Sequence, residues 1–596
     1  MPCRAADVED FTFVQVSDVH APMAQSATTI ARVKELRAID LAPYKVNVPK
    51  PSFVLATGDL NEFGGGSGWW KEYMDYWKGC PFPLYQQLGN HDNTWHGNMQ
   101  SLRLAGQKTY YSFDAHGCHF VGLMTPTPQD PRPSISEEQL VWLEADLEKV
   151  TKQKPVFVFF HHPLAGSEFA SRYDCDRLLD VLRRYNTVLM MAGHSHGFVS
   201  RPVGGLDQVT GGSTFGGNAG FSVLSVKDGT LRVAYWKVSE PAPGVKLLEK
   251  KIPDEPALPV IEISSPAVRE VAVADLRIYA RLGSAKPDGK VTYTIDDRVS
   301  GELMVSGGGS EFRAMGRPSL IGLLPGAHYL RVELSSGGRA LSRSTHFFYE
   351  PDQGRAAWRA YLGSSSKVTP VVENGVVYVA GHDGVLRAFD AASGSAKWTL
   401  PCSAEILASP VVHGGKVIVA DGTGKVTACD DAGKQLWNFQ AANAVYSSPV
   451  VSGENVLFGC NDGVFYAVNA ATGRLAWTNN DASYSIEAKP CLWRNKVYYG
   501  AWDQYVRCLD ATTGKLLWKA KTEGVKSAKA AHRYYSPGDA TPAVVDGRLM
   551  IADRNYMLTI LDAETGAPIG AVSKVAAGSA SADGQFAYLR GSDGRL

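Results

Sequence analysis

Five short apolar runs in the first two hundred residues are each followed, within two residues, by a polar residue of a metal-binding type. The runs contain β-branched side chains and read as buried strands, at residues 11–16, 53–57, 83–88, 154–160 and 187–192. Between them, helix-like segments predict helices near residues 28–39, 68–77, 136–149 and 174–184. Strands that alternate with helices of this length predict a layered α/β domain.

The pattern becomes one of short strands after residue 197. Strands predicted near residues 207–210, 222–226 and 231–238 indicate that the sheet finishes with antiparallel members. Proline-rich stretches at 239–244 and 253–259 are typical of connectors. Residues 260–350 then show about seven short alternating strands, a spacing that fits an Ig-like or fibronectin-type sandwich. This segment has no catalytic constellation, so we expect it to act as a spacer.

Tryptophans recur about every 40 residues in the last part of the chain, at Trp358, Trp398, Trp437, Trp477 and Trp518. Such a period signals propeller blades or solenoids, and four short strands with glycine-containing turns per repeat favour a β-propeller. Trp358 precedes the first full repeat, so its strand could complete the last blade and close a ring of about six blades. The other interpretation is a truncated sequence with blades missing.

The composition of the chain limits the functions that it can have. The 596 residues exceed what one core can organise, and the net charge of +0 gives no indication of a nucleic-acid partner. The nine cysteines are scattered without a CxxC pair, so neither a zinc knuckle nor a disulfide framework is predicted. The chain has no apolar run long enough for a membrane span and no visible signal peptide. The protein is therefore cytoplasmic, or the sequence begins after a missing leader.

The polar residues that follow the apolar runs are the strongest functional signal. Ligands in α/β sheets bind at the carboxyl ends of strands. Because side chains two residues apart in an extended chain point the same way, Asp18 and His20 can reach one ion together. A single such residue is ordinarily a turn former or a structural histidine, but five in order are an improbable coincidence. Carboxylate, amide and imidazole ligands suit Zn, Mn or Fe.

The motifs Asp-x-His, Gly-Asp, Gly-Asn-His-Asp, Val-x-x-His and Gly-His-x-His, within residues 11 to about 238, resemble those of the calcineurin-like metallophosphoesterase family. The resemblance implies a four-layer α/β/β/α sandwich that holds two adjacent divalent ions. It assigns one ion to Asp18, His20, Asp59 and His196, and the other to Asp59, Asn90, His161 and His194. Asp59 would bridge the two ions, and His162 would support the ligands or face the substrate.

Two neighbouring ions lower the pKa of a bridging water and hold both oxygens of an in-line displacement at phosphorus. The general acid implied by the resemblance is His91, which follows Asn90. In the family this histidine is steadied by an acidic residue three positions after the bridging aspartate, which here is Glu62 where many relatives have Asp. We therefore expect a hydrolase of phosphodiesters or phosphomonoesters that acts through a metal-bridging hydroxide.

Aromatic and basic residues shortly after the ligand motifs predict an apolar wall beside the metals, which favours an organic ester as substrate. Each of them taken singly also suits ordinary packing. The set is Trp69, Trp70, Trp95, His96, Phe169, Arg172 and Tyr173. Trp69, Trp95, His96 and His162 are the candidate substrate contacts. The glycine-rich loop at residues 211–218 could lie against the substrate or form only a turn.

The tryptophan repeats resemble the PQQ-like (quinoprotein-type) propeller, in which the tryptophan of one blade docks against its neighbour. Quinone enzymes of that type carry an adjacent Cys-Cys pair, and this sequence has none. We therefore expect no PQQ and interpret the propeller as a binding or scaffold module for a protein or glycan.

The sequence thus predicts a multidomain chain with an α/β/β/α metallophosphoesterase sandwich at 1–240, a linker at 241–258, a small all-β sandwich at 259–352 and an all-β propeller at 353–596. The leading function is a dinuclear metallophosphoesterase with a small phosphate-ester substrate. The alternative is a non-catalytic scaffold protein with a relic phosphoesterase lobe. The architecture is typical of periplasmic or secreted proteins, although the cytoplasm stays open without a leader.

Overall fold

A computed structural model describes residues 8–62, 67–93, 102–103, 106–127, 132–166, 169, 172–256, 261–309, 311–351, 356–527, 535–581, 583–593 and 595. The chain forms two compact units. The first comprises Met1–Thr94, Gly106–Ile135 and Gln139–Ala356, and the second comprises Trp95–Ala105, Ser136–Glu138 and Ala357–Leu596. Each unit is described by itself below.

The first unit begins with the predicted alternation of strands and helices. Its strands are β1 Phe11–Val16, β2 Ile39–Leu41, β3 Val46–Val48, β4 Val54–Thr57, β5 Leu84–Gln87, β6 Tyr111–Ala115, β7 Cys118–Gly122, β8 Val156–Phe159, β9 Thr187–Ala192, β10 Ser200–Val203, β11 Leu206–Thr210, β12 Gly220–Lys227, β13 Thr230–Lys237 and β14 Val245–Lys251. Its helices are α1 Ala24–Lys34, α2 Ser67–Trp77, α3 Asn90–Asn93, α4 Glu137–Leu147 and α5 Arg172–Leu182. The first two residues of α4 fall in the second unit. A 3-10 turn spans Ala42–Tyr44.

Twelve of these strands form two six-stranded sheets, in the orders β14-β13-β12-β1-β4-β5 and β10-β11-β9-β8-β7-β6, and β2 pairs with β3 in a separate two-stranded sheet. The pairs β1–β4, β4–β5, β7–β8 and β8–β9 are parallel, so their carboxyl ends lie on one edge of each sheet. Phe13 on the first sheet packs edge-on against Phe120 on the second, with ring centroids 5.6 Å apart. Leu143 on α4 and Leu178 on α5 belong to the core on the other side of the second sheet. The layers are those of the predicted α/β/β/α sandwich.

The rest of the first unit is all β. Its strands are β15 Glu262–Ser265, β16 Glu270–Ala272, β17 Ile278–Gly283, β18 Val291–Ile295, β19 Val299–Gly308, β20 Glu311–Gly316, β21 Gly326–Ser336 and β22 Arg339–Tyr349, in the order β15-β17-β20-β19-β18-β21-β22-β16. Helix α5 contacts this sheet, because Ser344 donates from Oγ to Asp176 at 2.7 Å. Arg183, directly after the helix, donates from Nη1 to the Ser342 carbonyl at 2.6 Å. The Ig-like or fibronectin-type identity of this sheet stays a prediction.

The described residues of the second unit form five four-stranded antiparallel sheets. They are β23 Val371–Glu373, β24 Val376–Ala380, β25 Val385–Asp390 and β26 Ala396–Pro401; β27 Val411–His413, β28 Lys416–Ala420, β29 Lys425–Cys429 and β30 Gln435–Gln440; β31 Val450–Ser452, β32 Asn455–Gly459, β33 Phe465–Asn469 and β34 Leu475–Asn479; β35 Cys491–Trp493, β36 Lys496–Gly500, β37 Tyr505–Asp510 and β38 Leu516–Lys521; and β39 Ala543–Val545, β40 Arg548–Ala552, β41 Met557–Asp562 and β42 Pro568–Ser573. Helix α6 Glu523–Ser527 precedes the fifth sheet, and β43 Val575–Ala580 with β44 Ala587–Gly591 forms a two-stranded sheet after it.

The recurring tryptophans dock on the following repeat, as the propeller resemblance implies. The Trp437 indole donates from Nε1 to the Ala470 carbonyl at 3.1 Å and lies against Gly473, where a Cβ would come 2.7 Å from the ring. Trp358 makes the same type of contact with Ala391 and Gly394 of the first sheet. Trp358 itself lies outside the strands, so the expectation that its strand completes the last blade is not met. No helix in the described part of the chain is long and apolar enough to cross a membrane.

Candidate metal centre

Abrupt turns at the ends of β1, β4 and β9 gather the predicted ligands. Left-handed backbone conformations occur at five of them, namely Asp18 (φ 52°), His20 (47°), Asp59 (50°), His194 (66°) and His196 (52°). L-residues rarely adopt this conformation, and such strain concentrates at functional sites. Asp18 and His20 therefore do converge, but through these turns and not through the alternation of an extended strand on which the prediction relied.

Two glycines allow the strand ends to approach each other. A Cβ on Gly89 would lie 2.1 Å from Oδ1 of Asp59, and a Cβ on Gly58 would lie 2.4 Å from Nδ1 of His161. Neither distance is possible between non-bonded atoms, so both positions require glycine. The Gly-Asp motif thus carries its glycine for close packing against His161, and the Gly-Asn-His-Asp motif for close packing against Asp59.

One group of ligand atoms surrounds Asp18. The candidate ligand atoms of Asp18, His20 and His196 all lie within 4.8 Å of one another. Nε2 of His196 is 3.3 Å from Oδ1 of Asp18, and Nε2 of His20 is 3.5 Å from Oδ2 of Asp59. These are the four residues predicted to hold the first ion.

A second group surrounds His161. Its Nε2 lies 3.2 Å from Oδ2 of Asp59 and 3.1 Å from Oδ1 of Asn90, and its ring centroid is 5.1 Å from that of His194. These are the four residues predicted to hold the second ion. The same Asp59 oxygen, Oδ2, is thus the one nearest to both His20 and His161, as a bridging ligand requires.

The residues fit a pair of divalent cations. Oδ1 of Asp18 and Nε2 of His20 are buried and have no hydrogen-bond partner among the described residues, which is costly unless a cation binds them. Nδ1 of His161 is 2.8 Å from the Thr57 carbonyl, which can only accept, so this nitrogen carries the proton and Nε2 presents its lone pair to the centre. A histidine that donates one N–H to an oxygen and binds with the other nitrogen is the usual arrangement of metal ligands.

The charges of the centre favour bound cations. Burial alone would raise the pKa of Asp59, but the neighbouring His161, His91 and His20 hold that pKa well below its usual value. Burial would lower the pKa of His161, but the Asp59 and Asp18 carboxylates raise it. A buried anionic cluster that attracts protons in this way also attracts metal ions, which compete with protons for the same atoms.

The geometry around His91 differs from the predicted arrangement, in which the Glu62 carboxylate steadies this histidine. Oε2 of Glu62 lies 2.6 Å from Nδ1 of His20, but 3.9 Å from Nδ1 of His91. Nδ1 of His91 is instead 2.8 Å from the main-chain carbonyl of Glu62. The Glu62 carboxylate is thus within hydrogen-bond distance of a predicted metal ligand, His20, and farther from the predicted acid, His91.

Three contacts of the site lay beyond the sequence reasoning. Asp92 accepts the backbone N–H groups of Leu60, Asn61 and Gly89 at 2.7–3.0 Å and so holds the Asp59 turn. The position of Asp92 in the Gly-Asn-His-Asp motif is the sequence feature that could have identified it. Thr125 lies 2.9 Å from Nδ1 of His162, with nothing in the sequence to mark it.

The third contact is an aromatic one. The Phe215 ring lies edge-on to His20 and His196, with centroids 5.1 and 5.3 Å away. Phe215 belongs to the glycine-rich loop, for which contact with the substrate was one of two interpretations.

The other predicted substrate contacts are only partly placed. Trp69 is half-buried on α2, whereas Trp95 and His96 lie outside the described residues. The ring of buried His162 is 6.5 Å from that of Phe169. Phe169 and Arg172 line a cavity of about 1140 Å³ together with strand residues such as Tyr329.

Comparisons with known proteins agree with this organisation. The family model of calcineurin-like phosphoesterases matches residues 11–198, that of the outer membrane protein assembly factor BamB matches residues 347–501, and that of the glucose/ethanol/alcohol dehydrogenase β-propeller domain matches residues 472–576. A probable glycerophosphodiester phosphodiesterase GpdQ of Arcobacter nitrofigilis is 29% identical over 203 residues, which are 31% of this chain and 71% of that protein.

The propeller part also has curated relatives. BamB of Bordetella pertussis is 32% identical over 126 residues, which are 21% of this chain, and the chain spans only 33% of that relative. The crystal structure of BamB from Moraxella catarrhalis covers 41% of this chain and 67% of its own, at 18% identity and a TM-score of 0.32. The chain thus carries an N-terminal calcineurin-like phosphoesterase domain and C-terminal β-propeller repeats of the PQQ/BamB-like type.

Proposed function

We propose that the N-terminal domain is a metal-dependent phosphodiesterase that binds two divalent ions. The observation that carries the proposal is the position of Oδ2 of Asp59, 3.5 Å from Nε2 of His20 and 3.2 Å from Nε2 of His161. The similarity to a probable glycerophosphodiester phosphodiesterase supports a diester as substrate. When bound, two such ions activate a water and polarise phosphoryl oxygens, which removes the need for a protein nucleophile.

The protein itself supplies the proton for the leaving oxygen. Because the Glu62 carbonyl can only accept, the 2.8 Å contact places a proton of His91 on Nδ1. The backbone N–H of His91 also donates to Oδ1 of Asp59 at 2.9 Å, which fixes the ring beside the ligands. A protonated His91 can therefore donate from Nε2 to an alkoxide that leaves phosphorus.

The phosphodiesterase is tested with bis-p-nitrophenyl phosphate and the corresponding monoester, before and after chelation and after Mn²⁺ or Zn²⁺ is restored. We expect hydrolysis of the diester that chelation abolishes and metal restores.

His91→Ala should keep both ions and lose about 10²–10⁴-fold in turnover. His116→Ala, which changes a histidine paired with Glu9 away from the centre, is the matched control. Loaded protein that hydrolyses neither ester would favour the non-catalytic scaffold instead.

For the propeller we propose a protein ligand in the periplasm. The supporting finding is the similarity to a protein named as an outer membrane protein assembly factor. Cell fractionation with a tagged full-length chain tests the compartment. Recovery of the chain in the cytoplasmic fraction would contradict the proposal.

A further inference from the structure

The Glu62 carboxylate lies within hydrogen-bond distance of the predicted metal ligand His20. From this geometry, and resting on the proposed function, we propose that Glu62 is a positioning residue for the ion that His20 binds, and not the partner of His91. Oε2 of Glu62 lies 2.6 Å from Nδ1 of His20, a full hydrogen bond, and 3.9 Å from Nδ1 of His91, which is too far for one. The carboxylate and a metal ion would thus occupy opposite nitrogens of one imidazole.

The backbone explains why Glu62 meets His20. The segments that follow β1 and β4 run side by side: His20 N–H donates to the Asp59 carbonyl at 2.8 Å, Ala21 N–H to Leu60 at 3.0 Å, and Glu62 N–H to Ala21 at 2.9 Å. Glu62 is therefore held next to the His20–Ala21 peptide. From that place its side chain reaches back to the His20 ring.

Side-chain length matters in this arrangement. An aspartate is shorter by one C–C bond of about 1.5 Å, so from the same backbone its carboxylate would fall short of Nδ1 of His20. An aspartate at this position would place its carboxylate at His91. A glutamate instead places its carboxylate at a different histidine, His20.

The contact has a chemical consequence for one ion only. A carboxylate that accepts the Nδ1 proton of histidine fixes the tautomer, orients Nε2 and raises the basicity of the ligand. His20 belongs to the group with Asp18 and His196, whereas the group of His161 is oriented through the Thr57 carbonyl. Loss of the Glu62 carboxylate should therefore weaken one of the two sites and leave the other.

His91 would not depend on the carboxylate. Its Nδ1 contacts the main-chain carbonyl of Glu62, which every substitution at this position retains. The two roles of Glu62 can therefore be separated: its carboxylate accepts from Nδ1 of His20, and its main-chain carbonyl accepts from Nδ1 of His91.

The experiment is a calorimetric Mn²⁺ titration of full-length protein freed of metal by chelation. Wild type, Glu62→Gln and Glu62→Asp are compared with Asn90→Ala, which alters the other site, and with Glu9→Gln. The last is the matched control, because it removes the carboxylate from another Glu–His pair, 2.8 Å from His116. We expect both Glu62 variants to bind one ion 10–100-fold more weakly and the other as wild type does.

Turnover gives a second readout. At saturating Mn²⁺, Glu62→Gln should regain most of its turnover, since His91 keeps its carbonyl contact. A loss of turnover that excess metal does not restore would overturn the inference in favour of the Glu62–His91 dyad. Equal affinities in wild type and Glu62→Gln, or an equal fall at both sites, would also overturn it. Wild type that binds fewer than two ions would overturn both this inference and the proposed function.

Discussion

The backbone N–H of His91 donates to Oδ1 of Asp59 at 2.9 Å, so the residue after Asn90 is tied directly to the central carboxylate of the site. The other oxygen, Oδ2, remains directed at His20 and His161. One carboxylate therefore orients the candidate acid and serves both metal groups. Substitutions that move Asp59 should affect metal binding and catalysis together.

Gly89→Ala should have this effect. The new Cβ would lie 2.1 Å from Oδ1 of Asp59, so the two strand ends must move apart, at a cost of about 1–3 kcal/mol or more in folding free energy. We expect weaker binding of both ions, measured by metal titration. Gly289→Ala is the control, because its Cβ would meet no described residue within 4 Å. Normal affinity for both ions in Gly89→Ala would show that this close approach is not required.

Asp92→Ala should destabilise the phosphoesterase domain. It leaves three buried backbone N–H groups without their acceptor, each at about 1–3 kcal/mol. We expect a loss of at least about 3 kcal/mol in the free energy of unfolding by denaturant, with a smaller loss for Asp92→Asn. Asp10→Ala removes an exposed carboxylate that accepts one backbone N–H and should cost less than about 1 kcal/mol. Equal costs for Asp92→Ala and Asp10→Ala would contradict this role.

Phe215→Ala should weaken substrate binding and spare the metals. The Phe215 ring is half-buried against His20 and His196, so it can form part of the apolar wall beside the centre. We expect KM for an organic diester to rise about tenfold, which corresponds to about 1.4 kcal/mol. In Phe215→Leu we expect a smaller rise in KM. Phe586→Ala, at a ring that is 61% exposed, is the control. Lost metal with unchanged KM would instead make Phe215 a support for the ligands.

The propeller can be tested at one tryptophan contact. Gly473→Ala places a Cβ 2.7 Å from the Trp437 ring at a backbone φ of 72°. Gly453 also has a positive φ, 57°, but a Cβ there would meet nothing within 4 Å in the described part of the chain, so Gly453→Ala reports the cost of the backbone alone. We expect Gly473→Ala to lower the thermal midpoint more, since overpacking adds about 1–3 kcal/mol. Equal midpoints would mean that this docking contributes no stability.

Apolar runs gave reliable predictions where they coincide with one element. The predicted strands at 11–16 and 187–192 are β1 and β9 with the same bounds, and the helix predicted at 68–77 is Ser67–Trp77. Helix α1 was predicted at 28–39 but spans Ala24–Lys34, because the apolar residues Ile39 and Leu41 belong to the short strand β2. Apolar spacing alone could not separate these two elements.

The metal ligands were predictable because their motifs are short and ordered, whereas the partners of their side chains were not. Left-handed turns at Asp18, His20 and Asp59 set the side-chain directions, and only Gly58 hints at them in the sequence. The contact between Glu62 and His20 depends on how two such turns pair. It joins residues 42 positions apart, and no local pattern reports it.

The most direct test of the account is the metal content of the full-length protein, measured by elemental analysis after loading and removal of free metal. We predict two ions per chain in wild type and in His91→Ala, and loss of both in Asp59→Asn, because Oδ2 of Asp59 faces both groups. Wild type with at most one ion, or Asp59→Asn that retains two, would contradict a dinuclear centre built on this carboxylate.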